Sequence, residues 1–161
     1  MTSAAVAGKV RRATEAAKVG HGGTLDPLAT GILPVALGEA TKTVPYVTDG
    51  GKTYRFSVKW GVQTSTDDRE GKVVETSDKR PAAQEIEDFL PRFTGEIEQV
   101  PPAFSDVKIN GERAYAIARS ADSVELQSRI IDVESFTLAG TPDADTAIFD
   151  VECGKGTYVR A

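Results

Sequence analysis

Asp26 lies in the least ordinary segment of this chain, residues 20–31, which read GHGGTLDPLATG and contain four glycines and one proline. Leu-Asp-Pro is a common turn unit, in which the carboxylate hydrogen-bonds to its own loop backbone. Glycines on both sides of Asp26 also let a planar group approach the backbone, and Leu25 and Leu28 make the surroundings apolar. An Asp of ordinary pKa, about 3.9, is ionised at neutral pH. Asp26 is therefore a candidate nucleophile as well as a candidate turn residue.

Two further motifs point to other chemistry, and both are weak. Residues 51–53 end like a phosphate-binding loop, but Tyr46 stands where that motif needs its first glycine. A Cys/His hydrolase would have to use Cys153 and His21, the one cysteine and the one histidine of the chain. Cys153 ends a strand-like segment with no helix start beside it, which is typical of an inert buried thiol.

No metal site and no organic cofactor are predicted. The acidic residues at 67, 68 and 70 lack the spacing and central glycine of a calcium loop, and a solvated turn explains them. A lone cysteine excludes zinc sites built on paired cysteines and any internal disulfide, and it fits a reducing compartment.

The composition is that of one soluble globular domain. The chain has 161 residues, of which 40% are apolar and 27% are charged. No apolar run approaches the 18 or so residues of a membrane span, and the first ten residues lack the features of a signal peptide. We expect a cytoplasmic monomer with no membrane partner.

Charge is divided unevenly along the chain. The net charge is −5, which taken alone argues against a nucleic-acid partner. Residues 1–60, however, carry eight Lys or Arg against four Asp or Glu, whereas residues 61–161 carry eleven against twenty. The first part is thus +4 and the second −9, so a polyanion should contact the first part. The candidate phosphate contacts are Lys9, Arg11, Arg12 and Lys18.

The elements that must position these residues can be read from periodicity and capping. A helix capped by Thr2 or Ser3 should run to about residue 17, followed by the glycine-rich loop and a buried strand over 32–37. Residues 52–60 alternate, with Tyr54 on the apolar face and Lys52 among the rest, as in a half-buried strand. Pro81 should open a helix that buries Ile86, Phe89, Leu90 and Phe93.

The remaining predictions give the fold class. Short strands are expected at 73–76, 129–138 and 146–153, the last two separated by a turn at 141–143, with a hairpin turn at 110–111 and a helix over 114–118. Strands and helices do not alternate regularly. The prediction is an α+β fold, with a mixed, largely antiparallel sheet and flanking helices.

The glycine-rich segment also carries a resemblance to a known family. Residues 20–34 and 37–42 resemble the catalytic signature of the TruB family, tRNA pseudouridine synthases that act on uridine 55 of the T loop. Further matches follow in the family's order at residues 52–54, 61–67, 95–101, 105–108 and 154–160. The resemblance implies an isomerase that needs no cofactor, with the T-arm stem-loop of tRNA as its partner.

The resemblance also implies roles for five residues. Asp26 would be the nucleophile, attacking either ribose C1′ or the uracil ring, and Arg160 would pair with its carboxylate. Tyr54 would stack on the flipped-out base, and Tyr158 would lie beside it. His21 would occupy the space that the flipped nucleotide leaves. From the sequence alone, Tyr54 is equally a core aromatic residue and Arg160 an ordinary surface charge.

Family members extend beyond both ends of the matched region, so residues 1–161 are expected to be a partial catalytic domain without the C-terminal RNA-binding region. Two alternatives remain at this point. One is a noncatalytic tRNA-binding or tRNA-folding domain, and the other is the Cys/His hydrolase.

Overall fold

The computed structural model describes residues 1–105, 107–109, 112–113 and 126–161, which cluster into two compact units, Met1–Gly51 and Lys52–Ala161. All strand pairs among these residues are antiparallel, which confirms the predicted α+β class. In chain order the described elements are α1 Ser3–Thr14, β1 Val19–His21, β2 Val35–Leu37, a 3-10 helix Gly38–Thr43, α2 Val44–Thr48, β3 Lys52–Lys59, β4 Val62–Thr64, β5 Val73–Thr76, α3 Ala83–Phe89, a 3-10 helix Leu90–Phe93, β6 Gly95–Gln99, β7 Lys108–Ile109, β8 Glu112–Arg113, β9 Arg129–Asp143 and β10 Thr146–Cys153.

Helix α1 opens the first unit, and its N-cap is Thr2, whose Oγ1 accepts a hydrogen bond from the Ala5 amide at 3.2 Å. Ser3, the other predicted cap, lies inside the helix and is buried. The helix ends at Thr14, three residues before the predicted end, because Glu15 adopts a left-handed conformation with φ 54°. Such a residue stops the helical hydrogen-bond ladder.

Strands β1 and β2 form a two-stranded ribbon in which His21 pairs with Val35. The predicted buried strand over residues 32–37 is wrong in its first half and in its burial, since β2 begins at Val35, none of its three residues is buried, and the Ile32 side chain is 91% exposed. Pro34 is the physical reason, because it has no N–H to donate to a strand partner. The shorter strand leaves residues 22–34 as one long loop.

The second unit is built on a four-stranded sheet in the order β3-β10-β9-β6. Strand β3 alternates as predicted, with Tyr54, Phe56 and Val58 half-buried on one face. Lys52 lies on that same face, contrary to the prediction. The core of the sheet is made of buried side chains from β9 and β10 together with α3, namely Ile86, Leu90, Ile131, Val133, Ala147, Phe149, Val151 and Cys153.

Strand β9 is longer than predicted and includes the expected turn at residues 141–143. The chain reverses two residues later, at 144–145, where the Asp145 amide donates to Asp143 Oδ1 at 2.8 Å. Pro142 is tolerated inside β9 because the pairing of β9 with β10 shifts between Thr146 and Ile148. Such irregularities interrupt the ladder and relax the need for an N–H at each residue.

Helix α3 buries only half of its predicted apolar stripe. Ile86 and Leu90 are buried against the sheet, whereas Phe89 is 49% and Phe93 42% exposed. The two exposed rings pack on each other at 5.7 Å between centroids, and the Arg92 guanidinium lies 4.5 Å above the Phe89 ring. A cation over an aromatic face explains why this exposed position is tolerated.

Two short hairpins complete the described residues. Strand β5 has its predicted bounds and pairs with β4 across the acidic turn, and β7 pairs with β8 on either side of the predicted hairpin turn. Residues 110–111 themselves and the helix predicted over 114–118 lie outside the described residues. Within the described ranges no helix has the length and apolar character to span a bilayer.

Gly61, in the turn between β3 and β4, occupies a position that strongly favours glycine. Its φ is +87°, and a Cβ there would lie 2.6 Å from the Ser77 carbonyl oxygen and 2.5 Å from Arg80 Nη1. The Gly61 carbonyl in turn accepts from the Ser77 amide at 3.0 Å. The chain after β5 therefore packs directly on the backbone of this residue.

Replacing Gly61 with alanine should lower the free energy of unfolding by about 2 kcal/mol or more, because the left-handed conformation alone costs roughly 1–2 kcal/mol and the methyl group displaces a carbonyl. Urea unfolding measures the change. The matched control is Gly140→Ala in β9, where a Cβ meets nothing within 4 Å; we expect a change within about 0.5 kcal/mol. Equal stability of the two variants would contradict the prediction.

Candidate active site

The loop that carries Asp26 is held at its base by the β1–β2 ribbon. Beyond the last strand pair, the Gly22 amide donates to the Pro34 carbonyl at 2.9 Å, which brings the two ends of the loop together. Gly22 is close to this contact, since a Cβ there would lie 3.4 Å from the Pro34 side chain. Gly23 has a φ of +120°, a conformation that favours glycine. Gly22 and Gly23 thus allow the close backbone contact and the turn with which the loop begins.

Asp26 itself lies within a turn. Its backbone carbonyl accepts from the Ala29 amide at 2.9 Å, which forms the turn, whereas a bond from the carboxylate to the loop backbone stays a prediction. The preceding Leu25 amide donates at 3.0 Å to Oγ of Ser3, which is only 4% exposed in the first turn of α1. A hydrogen bond from the buried start of a helix therefore fixes the backbone next to the carboxylate.

The immediate surroundings of Asp26 are more open than expected. Asp26 is exposed, Leu25 is half-buried and Leu28 is 37% exposed. An apolar wall made of both leucines is thus only partly present. The open side leaves the carboxylate accessible to a ligand.

His21 ends β1, five residues before Asp26 in the same unit, and is half-buried. Its Nδ1 is hydrogen-bonded to the Gly23 carbonyl. A carbonyl oxygen only accepts, so Nδ1 is the donor of this bond. The arrangement fixes the orientation of the imidazole at the start of the loop.

The four basic residues proposed as phosphate contacts are all exposed, and they all belong to the first unit. Arg11 and Arg12 occupy the last turn of α1, where positive charge interacts favourably with the helix dipole. Lys9 lies in the same helix, and Lys18 follows it by four residues. Their side chains are therefore available to solvent and to a polyanion.

Tyr54 lies in the second unit, on the inner face of β3. It is half-buried and packs against the core cluster that contains Ile131, Val133 and Val151, its cross-strand partner being Val151. This is the geometry of the core aromatic residue that the alternation predicts. Its proposed role in stacking on a base stays a prediction.

Arg160 is a half-buried and well-anchored cation in the second unit. Its Nη1 donates to the Thr66 carbonyl at 3.0 Å, and its Nη2 donates to the Phe104 carbonyl at 3.1 Å. The planar guanidinium suits two acceptors at fixed positions. The interpretation of Arg160 as an ordinary surface charge is therefore wrong, whereas its pairing with Asp26 stays a prediction.

Asp68 organises the turn that supplies one of those carbonyls. Its Oδ1 accepts from Thr66 Oγ1 at 2.6 Å and from the Glu70 amide at 2.9 Å. Burial raises the pKa of Asp68, but these hydrogen bonds and the charge of Arg160 outweigh that effect and bring the pKa below its usual value. The Asp68 carboxylate is therefore kept ionised, partly by the charge of Arg160. The predicted solvated turn does not account for this interaction.

Tyr158 and the backbone around it are anchored by Gln99, the last residue of β6. The Tyr158 amide donates to Gln99 Oε1 at 2.9 Å, and Gln99 Nε2 donates to the Tyr158 carbonyl at 2.9 Å. Tyr158 is half-buried and is among the residues that line a largely apolar groove of about 890 Å³ beside α3.

Cys153 does not have the properties of a nucleophile. Its side chain is 2% exposed within the core cluster of the sheet. Burial raises the pKa of this thiol, so the reactive thiolate is disfavoured. Among the described residues no group of three or more His, Cys, Asp or Glu side chains is placed to hold a metal ion.

The sequence analysis missed three contributors: Ser3, Asp68 and Gln99. The signal for Gln99 was present, because it follows Gly95 and Ile97 in the inward register of an alternating strand. Ser3 and Asp68 resemble an ordinary cap and an ordinary turn residue. Their partners, a distant amide in one case and the Thr66–Arg160 pair in the other, leave no local pattern.

Comparison with known proteins gives concordant matches. Residues 11–159 match the model of the TruB family pseudouridylate synthase N-terminal domain. The chain is 60% identical over 153 residues to a protein of Agrobacterium fabrum called tRNA pseudouridine synthase B, and 56% identical over 161 residues to the protein of the same name from Brucella ovis. These alignments cover 95% and 100% of this chain and 49% and 50% of the relatives. The chain therefore spans about half the length of these curated relatives.

Solved structures show the same fold. The crystal structure of a Cbf5–Nop10–Gar1 complex superimposes with a TM-score of 0.71 at 26% identity, covering 99% of this chain and 38% of that one. A structure of an H/ACA RNP bound to a substrate RNA containing 2'-deoxyuridine gives a TM-score of 0.60 at 24% identity, over 99% of this chain and 36% of that one. With the family model matched over nearly the whole length, this chain belongs to the TruB family of pseudouridylate synthases.

Proposed function

We propose that this chain carries part of the catalytic domain of an enzyme that converts uridine to pseudouridine at position 55 in the T loop of tRNA. The observation that carries the proposal is the family match over residues 11–159, which includes the whole Asp26 loop. The relatives from Agrobacterium and Brucella bear the name tRNA pseudouridine synthase B. Because the chain spans about half of their length, its own activity and its RNA substrate belong to the proposal.

The reaction breaks the N1–C1′ glycosidic bond, turns the uracil and forms a C5–C1′ bond, while the proton leaving C5 is balanced by one gained at N1. It is a redox-neutral isomerisation, for which a carboxylate nucleophile suffices. Asp26 is assigned that role, with attack at C1′ or at the uracil ring as the two alternatives. In support, the Asp26 side chain is accessible, and its backbone is tied to the turn at Ala29 and to α1 through Leu25.

Arg160 is assigned to the orientation and charge stabilisation of Asp26. A guanidinium carries five N–H donors in a rigid fork, a geometry that matches a carboxylate as well as the two carbonyls. Two fixed acceptors limit its rotation, so little side-chain entropy is lost when the carboxylate is bound. An opposite charge would hold Asp26 ionised as RNA excludes water from the site.

The target base must leave the folded T loop before it can react. Tyr54 is assigned as its stacking platform, a contact worth about 1–3 kcal/mol that offsets part of the cost of unstacking. Tyr158 is placed beside the base, and His21 fills the space left in the loop. In support of the last role, the His21 ring is oriented by its hydrogen bond to the Gly23 carbonyl.

Recognition of the T-arm stem-loop would rely on RNA shape and on phosphate contacts from the first unit. The exposed residues Lys9, Arg11, Arg12 and Lys18 supply the positive charge for those contacts. We further expect the chain to act as a monomer in the cytoplasm. Both expectations follow from its composition and its class of substrate.

Replacing Asp26 with asparagine should abolish pseudouridine formation, because the amide is isosteric with the carboxylate but is a far weaker nucleophile. The measurement is conversion of a T-arm stem-loop RNA under single-turnover conditions, together with the Kd of the same RNA. We expect a rate loss of at least ~1,000-fold with a Kd within about threefold of the unaltered chain, since base flipping does not need the charge.

Asp78→Asn is the matched control, because Asp78 is an exposed carboxylate outside the loop; it should leave rate and Kd unchanged. Retained turnover in Asp26→Asn would refute the catalytic assignment. If the unaltered chain bound the stem-loop but formed no pseudouridine, the noncatalytic RNA-binding alternative would replace this proposal.

The salt dependence of binding tests the phosphate contacts. Each phosphate contact contributes about 0.7–0.9 to the slope of log Kd against log salt, so removing the charges of Arg11 and Arg12 should lower the slope by about 1–2. The double variant is Arg11→Gln with Arg12→Gln. Its control is Lys72→Gln with Lys79→Gln, two exposed charges of the second unit, which should leave the slope unchanged. A slope near zero for the unaltered chain would contradict the proposed surface.

A further inference from the structure

Gln99 is the one inward-facing polar residue of β6, and its side chain leaves the strand to meet another segment. Strand β6 pairs with β9 on one side, and Gln99 is its last paired residue, opposite Arg129. The inward register of Gly95 and Ile97 would suit an apolar side chain at this position. A half-buried carboxamide there needs hydrogen-bond partners, because an unpaired polar group in such a place is costly.

Those partners lie in the segment that follows β10, and two of them belong to one residue, Tyr158. Gln99 Oε1 accepts from the Tyr158 amide, and Gln99 Nε2 donates to the Tyr158 carbonyl, both at 2.9 Å. A third contact runs from Nε2 to the Ala161 carbonyl at 3.3 Å. Reciprocal bonds to the N–H and C=O of one residue reproduce the pairing of an antiparallel strand, with a side chain in place of the strand.

Gln99 is suited to this arrangement by its chemistry and its length. A carboxamide has a donor and an acceptor in one plane, whereas a carboxylate offers only acceptors. Leucine or methionine at the same position would offer neither group. The match between the carboxamide and the Tyr158 backbone therefore depends on the residue type.

The segment after β10 is also anchored at its start. Its first residue, Gly154, donates to the Asp132 carbonyl of β9 at 2.8 Å, and Thr157 Oγ1 donates back to the Gly154 carbonyl at 3.0 Å. The Gln99 contacts come next along this segment, together with a turn in which the Ala161 amide donates to the Tyr158 carbonyl at 3.2 Å. Gln99 thus fixes the backbone two residues before Arg160.

The position of Arg160 follows from that fixed backbone. Its guanidinium must reach two carbonyls, of Thr66 and Phe104, that come from different parts of the chain. A shift of the Tyr158 peptide by a fraction of an ångström would misalign both bonds. Gln99 therefore fixes the backbone that leads to Arg160, and the two carbonyls fix its guanidinium.

We infer that Gln99 is a positioning residue of the pseudouridine-forming site, which holds the Tyr158–Arg160 backbone so that the tyrosine and the guanidinium meet the RNA in a productive geometry. The inference rests on the proposed function. The inference goes beyond the proposed function because it assigns a role to Gln99, which lies outside the Asp26 loop. That role concerns the rate of the reaction and not the affinity for RNA.

The test compares Gln99→Met, which removes all three hydrogen bonds of the side chain at similar size, with Gln84→Met, which removes an exposed hydrogen bond from the Gln84 side chain to Asp88 on α3. For Gln99→Met we expect exchange of the Tyr158 amide, followed by NMR, to be at least ~10-fold faster. The single-turnover rate at saturating T-arm RNA should fall by about 10- to 100-fold, as for other small misplacements, while Kd stays within about threefold. Gln84→Met should change none of the three.

A second variant, Gln99→Glu, keeps the acceptor for the Tyr158 amide and loses the donor, so it decides the matter if the methionine variant does not fold. It should retain protection of the Tyr158 amide and still lose at least ~10-fold in rate, because a carboxylate repels the Tyr158 carbonyl. Parental rates in either folded variant, or a loss confined to Kd, would overturn the inference. An unaltered chain without turnover would refute the proposed function, and amide exchange would still decide whether Gln99 holds the segment.

Discussion

The backbone of irregular segments must find hydrogen-bond partners outside the strand ladders, and this constraint governs how the site is built. The residues assigned to chemistry, apart from Tyr54 and His21, lie on such segments. Pro34 accepts at the base of the Asp26 loop, and Ser3 accepts from its interior. In the segment with Arg160, Gln99 at the end of β6 bonds to the Tyr158 backbone, and the Asp132 carbonyl accepts from the Gly154 amide. Asp26 and Tyr158 are thus held through the backbone.

Within the second unit, the four-stranded sheet supplies the frame that carries Tyr54 and Gln99. Phe56, Phe136 and Phe149 pack together at 5.4–5.9 Å between ring centroids, joining β3, β9 and β10. Tyr54 extends the same inner face, which restricts its ring. A stacking platform benefits from that restriction, because a preorganised ring loses little entropy when a base is bound.

Local patterns predicted the parts that follow from periodicity and steric rules. Alternation placed Tyr54 on the inner face of β3, and glycine content marked the long loop around Asp26. The irregularities were not predictable in the same way: Pro34 shortens β2, whereas a pairing shift admits Pro142 into β9. The anchoring of Arg160 was not predicted either. Its acceptors are backbone carbonyls, which every residue has, so residue type gives no sign of them. Long-range partners of this kind leave no trace in spacing.

Helix α1 joins the exposed basic residues to the loop that carries Asp26. Its twelve residues extend about 18 Å, with two arginines in the last turn and, in the first, the Ser3 hydroxyl that receives the Leu25 amide. A rigid helix transmits a displacement from one end to the other. A displacement of the turn with the two arginines would therefore shift the Leu25 amide, next to Asp26. An RNA whose phosphates fit the arginines poorly would therefore bind and yet react slowly, since discrimination would reside in alignment and not in attachment.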